Sequence, residues 1–318
     1  MKKLLLFFFI VFASVAWQSH AQTKQTGGER SRTIDSLKAI LKSYPLTSQV
    51  SSKDTNQVNT LNELAWKISN NNPDTAIILS TQALALANSL SFGEGRGEAS
   101  TVGWQKGIAN SYHNLAYFNY LKGNYPLSLA YNFKALKIRE ALKDKKGISK
   151  SLGNIGIVYD DQADYPKALS YYFKALKMAE DLGDKKLQAN NLGNIGVVYV
   201  HQADYPKALP YYFKALKMAE DLGDKNSIAA WLGNIGVVYK EQADYPKALS
   251  YYFKALKANE ELGRKNGIAI NLGNIGVVYM HQADYPKALP YYFKALKMAE
   301  DLGDKNSIAA WLGNIGVV

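Results

Sequence analysis

The chain has 318 residues, 47% of them hydrophobic, no cysteine and a formal net charge of +11. The hydrophobic share excludes wholesale disorder, and the absence of cysteine excludes disulfides and thiolate chemistry. A basic balance suits nucleic acid, but the lysines are spread evenly rather than gathered into an arm, so no nucleic-acid partner is expected.

Lys2 and Lys3 precede an apolar run from Leu4 to Trp17 that only Ser14 interrupts. Ser19 and Ala21 then supply the small residues that a cleavage site before Gln22 needs. This layout predicts a secretory signal peptide over 1–21 and an exported protein on the periplasmic or extracellular side of a membrane. The run falls short of the roughly 20 residues of a comfortable span, although an uncleaved anchor is the alternative. No second run of that length follows, so no membrane span is expected in the mature chain.

Residues 22–56 are polar and read as a tether, with one short amphipathic helix near Ile34–Lys42. A divergent helix pair is predicted over 57–90. Leu61, Leu64, Ala65 and Ile68 share one face, Pro73-Asp74 punctuates, and Ala76–Leu90 forms the second helix. Residues 91–105, with Gly93, Gly95 and Gly97, are expected to be a glycine-rich loop insertion. They make the step from Ala76 to its counterpart Ser128 longer than the period that governs the remainder.

That remainder, 106–318, is written in tandem units of 40 residues. Asn191–Ala230 recurs at Asn271–Ala310 with one change, Val200 against Met280. A period of this size is the signature of a solenoid, in which each unit buries its apolar face against its neighbours. Inside a unit two helices can be drawn. Ile148, Leu152, Ile155, Gly156 and Tyr159 line one face of the first; Ala168, Leu169, Tyr172, Ala175, Leu176 and Ala179 line the second. Asp164 before Tyr165-Pro166 is an N-cap with proline in the first turn, and Gly183 is placed to end the second helix. Gly156 and Ala168 are expected to face each other across the hairpin. Pro210 and Pro290 lie inside second helices, where proline costs on the order of 3 kcal/mol, so a kink or a later helix start is expected in those units.

Leu152, Ile155-Gly156, Tyr159, Tyr165, Ala168, Tyr172 and Ala175 fall in the order and spacing of the tetratricopeptide repeat pattern, which the chain resembles. Leucine replaces that pattern's tryptophan, Ala163 replaces its middle glycine, and Glu180 stands where its closing proline region begins. The longer unit resembles the class found in kinesin light chains and in peptide-sensing Rap-type regulators. The resemblance implies an all-α solenoid of helix hairpins wound into a right-handed superhelix, with the first helices lining a concave groove.

Little in the chain suggests chemistry. His201 and His281 occupy the same repeat position with no histidine in the unit between them, so they cannot share one ion, and no metal or other cofactor is expected. Gly193-Asn194-Ile195-Gly196 lies inside a helical pattern rather than after a strand, and reads as packing rather than phosphate contact. No nucleophile–base–orienter set stands out, so no catalytic residue is assigned and the visible chain is not expected to be an enzyme.

Two features remain. Asn114, Asn154, Asn194, Asn234, Asn274 and Asn314 recur at one position of the first helix, preceded in all but the first by Gly153, Gly193, Gly233, Gly273 or Gly313. The resemblance places that position in the groove, where the asparagines would hold an extended peptide by its backbone. A mid-helix glycine costs about 0.8–1 kcal/mol relative to alanine, so its repetition implies close approach of a ligand or of a neighbouring helix. The second feature is a lysine stripe on the outer helix, Lys167, Lys174, Lys177 and their equivalents. It reads as a solvated face or as a contact for an anionic partner.

The last copy, from Trp311, stops inside a first helix. A truncated product is therefore expected, whose open last repeat could self-associate. The arrangement as a whole resembles the sensor region of bacterial repeat-containing histidine kinases. An exported protein- or peptide-binding scaffold within a signalling protein is the leading expectation. A free-standing periplasmic scaffold and a transcriptional regulator whose effector part lies elsewhere are the alternatives.

Overall fold

A computed structural model describes residues 34–39, 52–69, 72–91 and 98–318. The expected signal peptide, most of the tether and the core of the glycine-rich segment lie outside them. The described residues contain α-helix and no strand. Helix α1 covers 34–39. It is followed by α2 (Ser52–Ile68), α3 (Pro73–Ser91), α4 (Glu98–Leu121), α5 (Tyr125–Ala141), α6 (Lys145–Asp161) and α7 (Tyr165–Asp181). Then come α8 (Lys185–His201), α9 (Tyr205–Asp221), α10 (Lys225–Glu241), α11 (Tyr245–Glu261), α12 (Lys265–His281), α13 (Tyr285–Leu302) and α14 (Lys305–Val317). They fall into two compact units, Lys24–Asp184 and Lys185–Val318. In the first, α2 packs on α3, α4 on α5 and α6 on α7; in the second, α8 packs on α9, α10 on α11 and α12 on α13.

From α4 onward, each turn between paired helices is three residues long and built the same way. At the end of α6, Asp164 N–H donates to Tyr159 O (2.8 Å) and Ala163 N–H to Asp160 O (2.8 Å), which pairs the last carbonyls of the helix. Asp164 then turns its carboxylate to accept from Lys167 N–H (3.2 Å), capping α7. One aspartate therefore closes one helix and opens the next. This geometry places the residue before it in the left-handed region. Ala163, Ala203, Ala243 and Ala283 all have φ between 56° and 58°, while Gly183, Gly223, Gly263 and Gly303 fill the corresponding place after the second helices.

Inside each of the four hairpins from α6–α7 to α12–α13, a glycine receives an aromatic ring. A Cβ on Gly156 would lie 2.8 Å from Tyr172 Cε1, and Gly236 stands 2.7 Å from Tyr252 Cδ1 in the same sense. Tyr172, Tyr212, Tyr252 and Tyr292 are fully buried. The partner of Gly156 is thus the tyrosine ring rather than Ala168, because the ring lies flat in the space that the missing side chain leaves.

Two other expectations change. Residues 98–105, expected in the loop insertion, are the opening turns of α4, and Trp104 there packs with Val58, Leu61, Ala87 and Ile108. Pro210 and Pro290 do not delay their helices: α9 and α13 begin at the same tyrosine as α7 and α11, because the aspartate cap sets the start. Repeats also compensate for one another's bulk. Arg139 and Asn259 stand where other copies carry Ala179, Ala219 and Ala299, and a glycine faces each of them. A Cβ on Gly147 would come 2.7 Å from Arg139 Cδ. Arg139, nearly enclosed, donates to Gly147 O (3.2 Å), Ser151 Oγ (2.7 Å) and Asn110 Oδ1 (3.3 Å).

The left-handed alanines are a removable strain. A non-glycine residue in that region costs roughly 1–2 kcal/mol, and glycine returns about half of the relief through unfolded-chain entropy. Ala243→Gly should therefore raise the stability of the second unit by about 0.5–1 kcal/mol in urea unfolding. A fall in the unfolding midpoint would show that the turn is not strained.

Candidate functional site

Within each unit the first helices of successive pairs lie side by side. In the Lys24–Asp184 unit α2 packs on α4 and α4 on α6. In the second unit the recurring glycine of α8, α10 and α12 meets Trp231, Asn271 and Trp311 of the next first helix. Within each unit both candidate positions sit on its layer of first helices, but the copies are not equivalent.

Asn114 is spent on packing. Buried in α4, it donates from Nδ2 to the backbone oxygen of Asn62 (3.0 Å) and to Asn62 Oδ1 (3.3 Å), tying α4 to α2. Asn62 in turn donates to Ser111 Oγ (2.9 Å). Asn154, half-buried in α6, donates to His113 Nδ1 (3.3 Å) on α4. Asn194 and Asn274 differ: they are only 7% and 5% exposed, and neither carboxamide has a hydrogen-bond partner among the described residues. Neither carboxamide is wholly sealed from solvent. Asn234 and Asn314 are half-buried.

The glycines divide as well. A Cβ on Gly193 would overlap the ring of Trp231, and one on Gly273 the ring of Trp311. Trp231 is fully buried between that socket and the ring of Tyr212, whose centroid is 6.1 Å away. Close approach at Gly193 and Gly273 thus comes from the next helix, which corrects their assignment to a ligand. Gly233 is open by comparison, its nearest neighbour being Asn271 Oδ1 at 3.8 Å, and Gly313 has nothing within 4 Å. Gly153 is buried in α6. The reason for the split is a doubled period. Trp231 and Trp311 alternate with Asn271 at one position, so two repeats, not one, form the unit of the layer.

Asn62, His113 and Trp66 also belong to this layer in the first unit and were not singled out from the sequence. Trp66 stacks on His113 (6.2 Å, 19°) and lies 4.8 Å from Tyr117. In the second unit His281 stacks on Tyr245 (6.2 Å, 4°), and burial, then the Lys240 ammonium, holds its imidazolium below the ordinary value. No group of three or more potential metal ligands gathers among the described residues. No described helix is long and apolar enough to cross a membrane. On the outer helices the first lysine of each stripe is spent on its own cap. Lys167 meets Asp164 at 2.5 Å and lies 5.1 Å from the centre of the Tyr159 ring, and Lys247 repeats this with Asp244 at 2.7 Å.

Two family models, each described as a tetratricopeptide repeat, match residues 107–181 and 187–261 in one case and 272–305 in the other, more than half of the chain. Among solved structures the chain is similar to BtubC (BKLC) from P. vanneervenii, with 19% identity, a TM-score of 0.61, and 72% of this chain and 91% of that one covered. It is similar also to a tetratricopeptide repeat protein from Parabacteroides merdae, with 14% identity, a TM-score of 0.60, and 91% and 93% covered. A Rap protein solved with Competence and Sporulation Factor matches with 16% identity, a TM-score of 0.58, and 81% and 80% covered. No curated protein matches. At these identities the structural likenesses speak to fold.

The two classes of glycine make opposite predictions. Gly233→Ala should raise stability by up to about 1 kcal/mol, the helix-propensity gain. Gly193→Ala should lower it by about 1–3 kcal/mol, because the methyl must displace the Trp231 ring. Unfolding midpoints of the two variants decide, and equal responses would sink the socket account.

Proposed function

The chain belongs to the tetratricopeptide repeat family, and from that premise we propose that it is an exported scaffold that holds an extended peptide or protein segment against its first helices. Repeats of this family imply protein–protein interaction, and the finer reading rests on one observation. Asn194 and Asn274 are residues more than nine-tenths buried at matching places on α8 and α12, and their carboxamides have no hydrogen-bond partner among the described residues. Water can serve these amides in the free protein, and a peptide backbone can take its place by offering each amide both a donor and an acceptor. Half-buried Val237, Ile270 and Met280 lie on the same layer and would supply apolar contact. A fold shared with a Rap protein complexed with Competence and Sporulation Factor is compatible with such a ligand.

Peptides selected on the immobilised protein from a random library supply the probe. Asn194→Ala combined with Asn274→Ala should weaken their binding by about tenfold or more, two hydrogen bonds' worth, while leaving the unfolding midpoint in place. Asn114→Ala should instead cost about 1–2 kcal/mol of stability, since it orphans Asn62. Unchanged peptide affinity in the double variant would falsify the reading.

Export is supported by Lys2-Lys3, the apolar run that follows and the Ser19–Ala21 site. A sensor role within a larger signalling protein is the finer possibility, with a free-standing scaffold as its competitor. Mass spectrometry of the protein from its native cell envelope addresses both. A mature N-terminus at Gln22 is expected, on a product extended by a membrane-spanning and effector part. An N-terminus at Met1 in a cytosolic fraction counts against export, and a product made of repeats alone counts against the sensor role.

A further inference from the structure

Helices α8, α10 and α12 repeat one motif, yet of the three only α10 is open along it. Gly193, Asn194 and Val197 of α8 are buried, as are Gly273, Asn274 and Val277 of α12, whereas Gly233, Asn234 and Val237 of α10 are half-buried. The difference comes from the side chain that the next first helix lays over each glycine. The six-membered ring of Trp231 fills the space above Gly193, and that of Trp311 the space above Gly273. Over Gly233 the corresponding residue is Asn271, too short to cover the same space. Its Oδ1, 3.8 Å from the place of a Cβ, is the nearest atom that a Cβ on Gly233 would meet. The Asn271 amide is held in one orientation, because Nδ2 donates to Gly267 O (2.8 Å). Oδ1 is thereby turned toward Gly233 and has no hydrogen-bond partner among the described residues, although Asn271 is only 5% exposed. The second unit thus contains two filled ring sockets and, between them, a third that is vacant and carries an acceptor.

We propose that the notch over Gly233 is a binding site for an aromatic side chain that carries a hydrogen-bond donor, the phenol of a tyrosine or the indole of a tryptophan of the partner. The ring lies over the glycine and the donor meets Asn271 Oδ1. The proposal rests on the reading of the first helices as the ligand-bearing layer. The same backbone already receives an aromatic ring at Gly193 and at Gly273, so the shape of the occupant is given by the protein itself. A ring entering from solvent buries its apolar faces against the glycine, with Val237 one turn further along α10. A buried phenol or indole needs a partner for its O–H or N–H, and an amide oxygen with free lone pairs supplies one. Water can hold that oxygen in the free protein. Phenylalanine would fill the socket but displace this water without replacing its hydrogen bond, and leucine would offer neither ring nor donor.

The test uses the folded protein with the N-acetyl amides of tyrosine, tryptophan, phenylalanine and leucine as probes. The readout is the backbone amide resonances of Gly233 and Asn234. The tyrosine or the tryptophan probe should shift them saturably, and the tighter of the two identifies the side chain that the site takes. Phenylalanine should bind about fivefold more weakly for want of the donor, and leucine about tenfold or more weakly. Asn271→Leu, which removes the acceptor, should erase the advantage over phenylalanine. Asn271→Trp copies the two neighbouring repeats, so it should fold, close the notch and abolish binding. Gly233→Ala, followed at Asn234, should weaken the tyrosine and tryptophan probes about fivefold while the protein stays folded. Equal binding of all four probes by the unmodified protein, or no saturable shift with tyrosine and tryptophan, overturns the proposal whatever the variants do. Unchanged aromatic binding in a folded Asn271→Trp overturns it too. If selected peptides bind through Asn194 and Asn274 while the aromatic probes leave Gly233 unmoved, this site alone fails. If the aromatic probes bind as described but no selected peptide depends on the two asparagines, the site stands and the peptide reading of α8 and α12 fails.

Discussion

A tyrosine ring lying in the space of a missing side chain holds together each of the four hairpins from α6–α7 onward. Gly156, Gly196, Gly236 and Gly276 each receive the ring of a fully buried tyrosine from the second helix. The separation of the paired helices is set there, because neither ring nor backbone can yield much at interior packing density. Everything else follows from that spacing. The three-residue turns have one way to close, the aspartate caps fall at fixed places, and the first helices are brought into a layer. With all helices running at a common separation, a difference between copies at one position must be absorbed by its neighbour. Arg139 with Gly147, and Asn259 with Gly267, are that adjustment in two places.

Much of this was legible in the residues. The repeat period, the caps at Asp164 and its equivalents, and the glycine after each second helix all follow from local rules that act over a few positions. Contacts between repeats were not legible. Gly193 and Gly233 are identical in local sequence, yet one is a socket for tryptophan and the other is open, and only the residue 38 positions further on decides which. Pro210 misled for a related reason. Proline was weighed by its interior cost, but the start of α9 is set by its cap and its position by the tyrosine socket, and these outweigh one lost backbone bond. Residues 98–105 were hidden because nothing in their composition competes with glycine-rich neighbours, whereas burial of Trp104 does.

The candidate site was legible in kind but not in extent. Six asparagines share a position, and sequence treats them alike. Hydrogen bonding separates them into Asn114 and Asn154, which bind other helices together, and Asn194 and Asn274, whose carboxamides have no hydrogen-bond partner among the described residues. The first pair sits beside aromatic residues that broke from the repeat, and the second beside aliphatic residues that kept to it. The two units thus carry different side chains on a uniform scaffold, as expected when function resides in side chains added to a common fold.

The alternation of Trp231 and Trp311 with Asn271 also acts as a ruler. Neighbouring packed helices stand roughly 8–10 Å apart, so like positions on α8 and α12 are separated by about 16–20 Å. An extended chain advances at most about 3.3–3.6 Å per residue. A segment that satisfied both Asn194 and Asn274 would present matching backbone groups about five or six residues apart, with the open surface at Gly233 beneath its middle. Sequence between those two points would be free to vary except where it crosses that glycine, and there only a side chain large enough to fill the gap would find a seat.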